Sequence, residues 1–258
     1  MKSEPNCRDG VAAIKDRILK SEIISNPNVV RVKLGFTNCF LLPCNDGYLL
    51  IDTSYRNTFS RFQKGVARFG IEISDIKYLF LTHHHDDHAG FAADLVEKTG
   101  CQVIAHQHAV APLRKGESEE TMRPFNRRVK FVFSIFALFH REFNFPPLIL
   151  GEKDIIVAED NFELLKQIGI DGRILSTPGH SRDSLSIVLS DGSAFVGDVA
   201  MNFLPLTGIG HHPIYVEDIQ AVYASWKKLV EHGAQVIYPA HGTPFSIREL
   251  AKTLPEQP

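Results

Sequence analysis

Between Leu79 and Phe91 the chain reads LFLTHHHDDHAGF. Six consecutive residues there can each bind a metal ion or carry a proton: His83, His84, His85, Asp86, Asp87 and His88. No small site uses all six side chains at once. In an extended segment successive side chains alternate sides, so His83 and His85 share one side and His84 faces the other. The chain then turns toward a helix expected to start near Ala89. At that turn the adjacent Asp87 and His88 can both reach inward, toward a second metal. Sorted this way, the run is His-x-His-x-Asp-His, two half-sites in one stretch.

Three more short apolar runs end on a potential ligand: STPGH at His180, FVGD at Asp198 and IYPAH at His241. In each, the ligand sits just past a run short enough to be a strand. An open α/β layer presents its working loops at such strand ends. Gly or Pro stands beside three of the four ends and suits a tight turn. Imidazoles mixed with carboxylates fit zinc, iron or manganese better than calcium.

The elements that must position these residues are legible as patterns. VVRVKLG, CFLLPC and YLLIDT read as short strands, with NDG at Asn45 to Gly47 as a hairpin turn. Asn57 to Phe69 spaces Phe59, Phe62, Val66 and Phe69 by three and four, which predicts a helix. IKYLFLTH is a buried strand running into the His cluster, AGFAADLVEKTG a helix closed by Gly100, and CQVIAH the next strand. Strands follow at DIIVA, GRILSTPGH, LSIVLSDG and AFVGDVA, then a helix from Ile219 to His232, a strand at QVIYPAHG and a terminal helix at SIREL. A further short helix is expected over Val11 to Lys20. Strand-helix alternation favours an α/β sandwich.

The motifs THHHDDHAG, TPGHS, GD and PAHG, in this order, resemble those of the metallo-β-lactamase-fold superfamily. The resemblance runs from about Val29 to Ile247 and is specific as a set. It implies a four-layer αβ/βα sandwich with a two-metal site on one edge. His83, His85 and His180 match the ligands of the first metal, and Asp87, His88 and His241 those of the second. Asp198 matches the carboxylate that bridges both, and Asp52, ending LLIDT, matches an Asp often kept near the His cluster. His rather than Glu at position 85 argues against the di-iron oxygen-reducing branch. Asp198 argues against a true β-lactamase, where Cys or Ser is usual. Met201 stands where lactone hydrolases often carry Tyr, which weakens that reading.

Two divalent metals, zinc first among them with iron or manganese as options, can share a hydroxide and polarise a substrate oxygen. The expected reaction is attack of that hydroxide on an ester, thioester or lactone carbonyl of a partly hydrophobic small molecule, with Asp87 orienting the nucleophile. A phosphodiesterase, or a mononuclear iron enzyme acting on a thiol or persulfide, is the alternative. His211 and His212, on the Gly- and Pro-rich loop GIGHHPIY, are candidates for touching substrate. His106, His108 and His140 lack partner motifs and read as structural.

Length and composition bound the rest. The 258 residues carry a net charge of −2, with 44% apolar and 22% charged residues. That suits one soluble globular domain over residues 1–258 and gives no overall pull toward nucleic acid. No run of 18 or so apolar residues predicts a membrane-spanning helix. The N-terminal segment lacks the apolar stretch of a signal peptide, and Cys7, Cys39, Cys44 and Cys101 form no paired motif; a cytoplasmic protein with reduced thiols is expected. One segment breaks the rhythm. From about 111 to 150 a helical insert holds seven of the 18 phenylalanines, with Phe125, Val129, Val132, Phe136, Phe139 and Phe143 on one stripe and Arg and Lys flanking it. A lid over the site, a homodimer interface and a membrane-surface contact are its three readings.

Overall fold

A computed structural model describes residues 28–118, 122–136 and 143–254. The helix expected over Val11 to Lys20, Cys7, His140 and the insert's Phe139 lie outside the described residues.

In chain order the first strands are β1 (Val30–Leu34), β2 (Thr37–Cys44), β3 (Gly47–Ile51), β4 (Ile76–Phe80) and β5 (Gln102–His106). A two-residue strand, β6 (Arg123–Pro124), stands apart from them, and β7 (Ile155–Val157) rejoins the sheet. The first sheet has the order β1-β2-β3-β4-β5-β7, with antiparallel hairpins at one edge and parallel pairing from β3 onward. Asn45 and Asp46 form the tip of the β2–β3 hairpin, where Cys44 pairs with Gly47.

The second half supplies β8 (Gly172–Ser176), β9 (Leu185–Leu189), β10 (Ser193–Phe195), β11 (Tyr215–Val216), β12 (Val236–Tyr238) and β13 (Phe245–Ser246). Five of them form a second sheet ordered β13-β12-β10-β9-β8, while β11 pairs with β6. The helices are α1 (Phe59–Ala67), α2 (Asp86–Ala89), α3 (Ala92–Thr99), α4 (Val110–Lys115), α5 (Arg127–Phe136), α6 (Leu164–Gln167), α7 (Ile219–Glu231) and α8 (Ile247–Thr253).

The strands read as nearly unbroken apolar runs because both faces of each sheet are covered. Leu49, Ile51, Phe80 and Ile104 face Ile187, Phe195 and Tyr238 in a core between the sheets. Their strand neighbours Leu50, Leu79, Leu81 and Val103 point the other way, onto Phe62 and Val66 of α1 and Leu95 of α3. On the second sheet Val188, Ala194 and Ile237 turn outward onto Val222, Trp226 and Leu229 of α7 and Leu250 of α8. Period-two alternation thus produces three stacked cores and the four layers helix, sheet, sheet, helix. Among the described residues no helix is long and apolar enough to cross a membrane.

Two local differences from the sequence reading matter. The helix expected from Ala89 begins three residues earlier, at Asp86, because the N–H groups of His88 and Ala89 both bond back to the His85 carbonyl. The second half of the His run is therefore a helical turn rather than an extended segment. The insert's helix α5 buries its Val129 side against Met201, Ile209 and Ile214. Phe131 and Ile135 remain exposed, although a helix apolar on most sides was expected to be covered on more than one.

Candidate metal centre

The four strand ends meet at one edge of the two sheets. His83 and His85 follow β4, His180 follows β8, Asp198 follows β10 and His241 follows β12, while Asp87 and His88 lie on α2. The architecture holds these loops from behind. From α7, the Trp226 indole donates to the Val199 carbonyl at 2.7 Å and the Ser225 hydroxyl to the Pro178 carbonyl at 2.7 Å. One helix thereby fixes both the Asp198 and the His180 loops. Asn38, on β2, donates to the carbonyls of Pro239 and Gly242 at 3.1 and 2.8 Å and so brackets His241 from both sides. Gly197 has φ +53° and a Cβ there would lie 2.5 Å from the Thr82 hydroxyl. Only glycine lets the Asp198 loop lie against the strand end that carries His83.

The seven side chains form two groups. The Nε2 atom of His180 lies 3.2 Å from Nε2 of His83 and 3.1 Å from Nδ1 of His85. His241 Nε2 lies 3.1 Å from Asp87 Oδ2, and His88 Nε2 3.7 Å from Asp87 Oδ1. Asp198 stands between the groups. Its Oδ2 is 3.7 Å from His180 Nε2, and its Oδ1 is 3.4 Å from Nε2 of both His88 and His241. His83, His85 and His180 form one compact donor set and Asp87, His88 and His241 another. A third set, His83, His88 and Asp198, links them.

The outer nitrogens explain why the inner ones face inward. His88 Nδ1 donates to Asp52 Oδ2 at 2.9 Å, His180 Nδ1 to the Tyr215 carbonyl at 2.8 Å, and His241 Nδ1 to the Phe36 carbonyl at 3.0 Å. The Thr82 hydroxyl gives its proton to Asp52 Oδ2 at 2.7 Å, which leaves it to accept from His83 Nδ1 at 3.1 Å. The outer nitrogens of His83, His88, His180 and His241 are thus occupied and their Nε2 atoms turn to the centre, while His85 turns its Nδ1 there. Buried His88 Nε2 and Asp198 Oδ1 make no hydrogen bond. Imidazole nitrogens and carboxylate oxygens that converge within hydrogen-bond distance of one another are what a divalent cation satisfies on displacing any protons they hold, so the residues fit a metal.

Electrostatics divide the groups the same way. Burial, then the neighbouring imidazoles, hold His83 and His85 well below the usual range; burial also lowers His180. For His88 burial acts downward, yet Asp87, Asp198 and Asp52 together hold it well above its ordinary value. His241 is pushed up to about 10, chiefly by Asp198 against the opposing effect of burial. Burial opposes ionisation of Asp87, but His88 and His241 bring it down to about 2. Burial also raises the Tyr55 phenol, with Asp87, Asp86 and Asp198 adding to it, so Tyr55 stays a donor on this side of the site.

Asp52 sits at φ +56°, one of two non-glycine residues with positive φ among the described residues. Such a conformation costs about 1–3 kcal/mol and persists where the surroundings enforce it. Here Asp52 Oδ1 accepts the Thr82 backbone N–H at 2.7 Å while Oδ2 serves Thr82 and His88. His84 does face away from the centre. It is buried, with Nδ1 2.9 Å and its backbone N 3.0 Å from Asp183 Oδ2. Burial works against the Asp183 charge, but the His84 bond holds this carboxyl well below the usual range. Asp86 is buried too, its backbone N–H donating to the Ser118 hydroxyl at 3.0 Å.

His211 and His212 are not brought into the seven-residue group. His211 donates from Nδ1 to the Met201 carbonyl, pairs Nε2 with Glu249 at 3.0 Å and stacks on Phe245. His212 donates to the Ile209 carbonyl, meets the Tyr223 hydroxyl at 3.1 Å and stacks on Phe125. All four ring nitrogens are engaged within the fold. Unanticipated from sequence are Thr82, Asp183 and the carbonyls of Phe36 and Tyr215. Asp183, three residues after His180 in PGHSRD, carried the one readable signal, an acid beside a ligand motif.

Comparison with known proteins agrees with this geometry. A probable metallo-hydrolase of Methanocaldococcus jannaschii is 27% identical over 212 residues, covering 81% of this chain and 89% of that protein. An atrochrysone carboxyl ACP thioesterase of Aspergillus aculeatus is 23% identical over 90% of this chain and 58% of its own length. A hydroxyacylglutathione hydrolase of Rhodopseudomonas palustris is 29% identical over 60% of this chain and 47% of its own. This chain therefore spans about half the length of those last two relatives. Among solved structures, a metallo-beta-lactamase family protein of Thermus thermophilus superposes with a TM-score of 0.64 at 22% identity, over 89% of this chain and 78% of that one. The model of the metallo-beta-lactamase superfamily matches residues 32–241, a span that takes in every one of the seven convergent side chains, and the chain belongs to that superfamily.

Proposed function

We propose that the chain is a hydrolase that holds two divalent cations, zinc first among the candidates, and cleaves an ester, thioester or lactone with a hydrophobic part. The observation that carries this reading is the Asp198 carboxylate, with Oδ2 toward His180 and Oδ1 toward His88 and His241. His83, His85 and His180 would hold one cation, Asp87, His88 and His241 the other, and Asp198 both. Such a pair, when bound, supplies Lewis acidity toward a carbonyl oxygen and brings the pKa of water down toward ~7.

The chain's own residues do the rest. Asp52, Thr82 and the carbonyls of Tyr215 and Phe36 fix the imidazole tautomers. Asp87 is the most open of the three central carboxylates at 17% exposure. With its carboxyl held at about 2, it accepts a hydrogen bond from the attacking water and orients it. An apolar wall lies beside this point. Phe203 has its ring 5.8 Å from His241, and Phe36, 57% exposed, lies 5.5 Å beyond it. That wall suits an acyl or aromatic group, and two relatives named as a thioesterase and a hydroxyacylglutathione hydrolase support carbonyl chemistry.

Elemental analysis with a panel of thioesters, esters, lactones, phosphodiesters and β-lactams tests the reading. Two zinc ions per chain and turnover of hydrophobic thioesters or esters are expected. One iron per chain with inert acyl substrates would overturn it.

A further prediction arises from the His84–Asp183 contact, which ties the loop of His85 to the loop of His180. Asp183→Ala is expected to weaken the cation held by His83, His85 and His180 by about 10–100-fold, the usual cost of removing a supporting partner. The second cation keeps its affinity. Titration against a chelating dye reads both constants, and equal weakening of the two would refute the tie.

A further inference from the structure

We propose that the outer face of α5, with the turn at Pro205–Thr207, docks the protein on an anionic lipid bilayer. Three large apolar side chains project there: Leu206 is 92% exposed, Phe131 67% and Ile135 47%. Arg127, Arg128, Phe131, Val132, Leu206 and Thr207 border one open cavity of about 400 Å³, so the helix and the turn form a single patch. The patch is rigidly built. Asn126 accepts the Val129 backbone N–H at 2.9 Å and donates to the Thr207 carbonyl at 3.1 Å, which joins helix to turn. Val129, Met201, Ile209 and Ile214 pack beneath it. An apolar face fixed in place and still open to solvent is a surface for something else.

Charge selects the occupant. From Met122 to Phe136 the chain has Arg123, Arg127, Arg128 and Lys130 and no carboxylate; from Met201 to Val216 it has no Lys, Arg, Asp or Glu. Net charge of the whole chain is −2, so this cationic character is local. Arg127 and Arg128 border the exposed Phe131 and Leu206, with Lys130 on the same helix, which matches the pattern of a basic, apolar helix lying in the interface of an anionic membrane. A second copy fits poorly, because a twofold contact through this face would set Arg127, Arg128 and Lys130 against the same cations. A folded acidic partner would need a surface shaped around the protruding Leu206, whereas lipid accepts protrusions without a matched shape. Phe203, at the margin of the cluster beneath α5, stands beside His241, so the packing under the docked face reaches the edge of the centre. The docking itself does not depend on the reaction.

Co-sedimentation of the full, metal-loaded chain with vesicles tests this. Binding is expected to vesicles of phosphatidylcholine mixed with phosphatidylglycerol, to fall with added salt, and to be weak on phosphatidylcholine alone. Arg127→Glu with Arg128→Glu, and separately Leu206→Glu, should each reduce binding by roughly tenfold or more. All three side chains are exposed, and an unchanged circular-dichroism melt verifies that each variant folds. No binding of the unsubstituted chain to mixed vesicles, or equal binding by the variants, overturns the proposal. So does a dimer dissolved by the same substitutions without vesicle binding, or uptake of monomeric dodecanoate at this face without vesicle binding.

Discussion

Asp198→Ala is expected to reduce kcat/KM on a good substrate by about 10²-fold or more, beyond the 10–100-fold usual for losing a partner that only supports a ligand. The effect is large because one carboxylate serves both groups. His180 faces its Oδ2, and His88 and His241 face its Oδ1, all within 3.4–3.7 Å. His88 and His241 are the two imidazoles whose basicity the surrounding carboxylates raise. Without Asp198 they lose a main counter-charge, and two cations would lose the anion between them. Metal analysis of the variant should find fewer than two cations per chain, and steady-state kinetics should show the loss mainly in kcat. Asp198→Ala protein that keeps two cations and its full rate would rule out the shared role. His84→Ala gives the contrast. Its ring points to Asp183 rather than inward, so it should retain more metal than His85→Ala.

The part of this centre that was legible in sequence is the part written in side-chain identity at strand ends. His83, His85, His180, Asp198 and His241 each follow a short apolar run, and a strand covered on both faces forces that run to be continuous. The layers were legible for the same reason: Leu49 with Ile51 and Leu50 with Leu79 sort to opposite faces by alternation alone. Of what holds the ligands, only Asp52 was legible, as an acid ending the strand before the His cluster. The carbonyls of Phe36 and Tyr215 orient His241 and His180, and a carbonyl leaves no trace in residue type. Asp183 reaches His84 across 99 positions, a pairing that only the folded loops create. His211 looked free on a glycine-rich loop, but Glu249 of the terminal helix, 38 residues later, takes up its Nε2. The start of α2 at Asp86 escaped because successive ligand residues carry no apolar period from which to read a helix.

Stripping divalent cations with a chelator is expected to lower Tm by roughly 8–16 °C. A cation held at a thousandfold over its Kd contributes about 4.1 kcal/mol, and a chain of this size shifts by about 2–4 °C per kcal/mol. The gap should widen as pH rises. His241, held at about 10, and His88, held well above its ordinary value, carry protons in the stripped chain. Their raised values give the stripped fold stability that is fully present below the unfolded imidazole pKa of about 6.5 and is lost as pH climbs through the folded values. In the loaded chain those protons must leave before the cation enters, so binding strengthens over the same window. Both effects act in one direction. His83, His85 and His180 have lowered values and are neutral in folded and unfolded chains above about 6.5, so they add no slope there. Below that pH they turn against the stripped fold, because the unfolded chain takes up protons that the buried rings refuse. Calorimetric scans of loaded and stripped protein at neutral and alkaline pH measure the gap directly. A gap that stays constant or shrinks toward alkaline pH would mean that protons at His88 and His241 do not compete with the cation, and the second donor set would then not be the one the carboxylates Asp87 and Asp198 make basic.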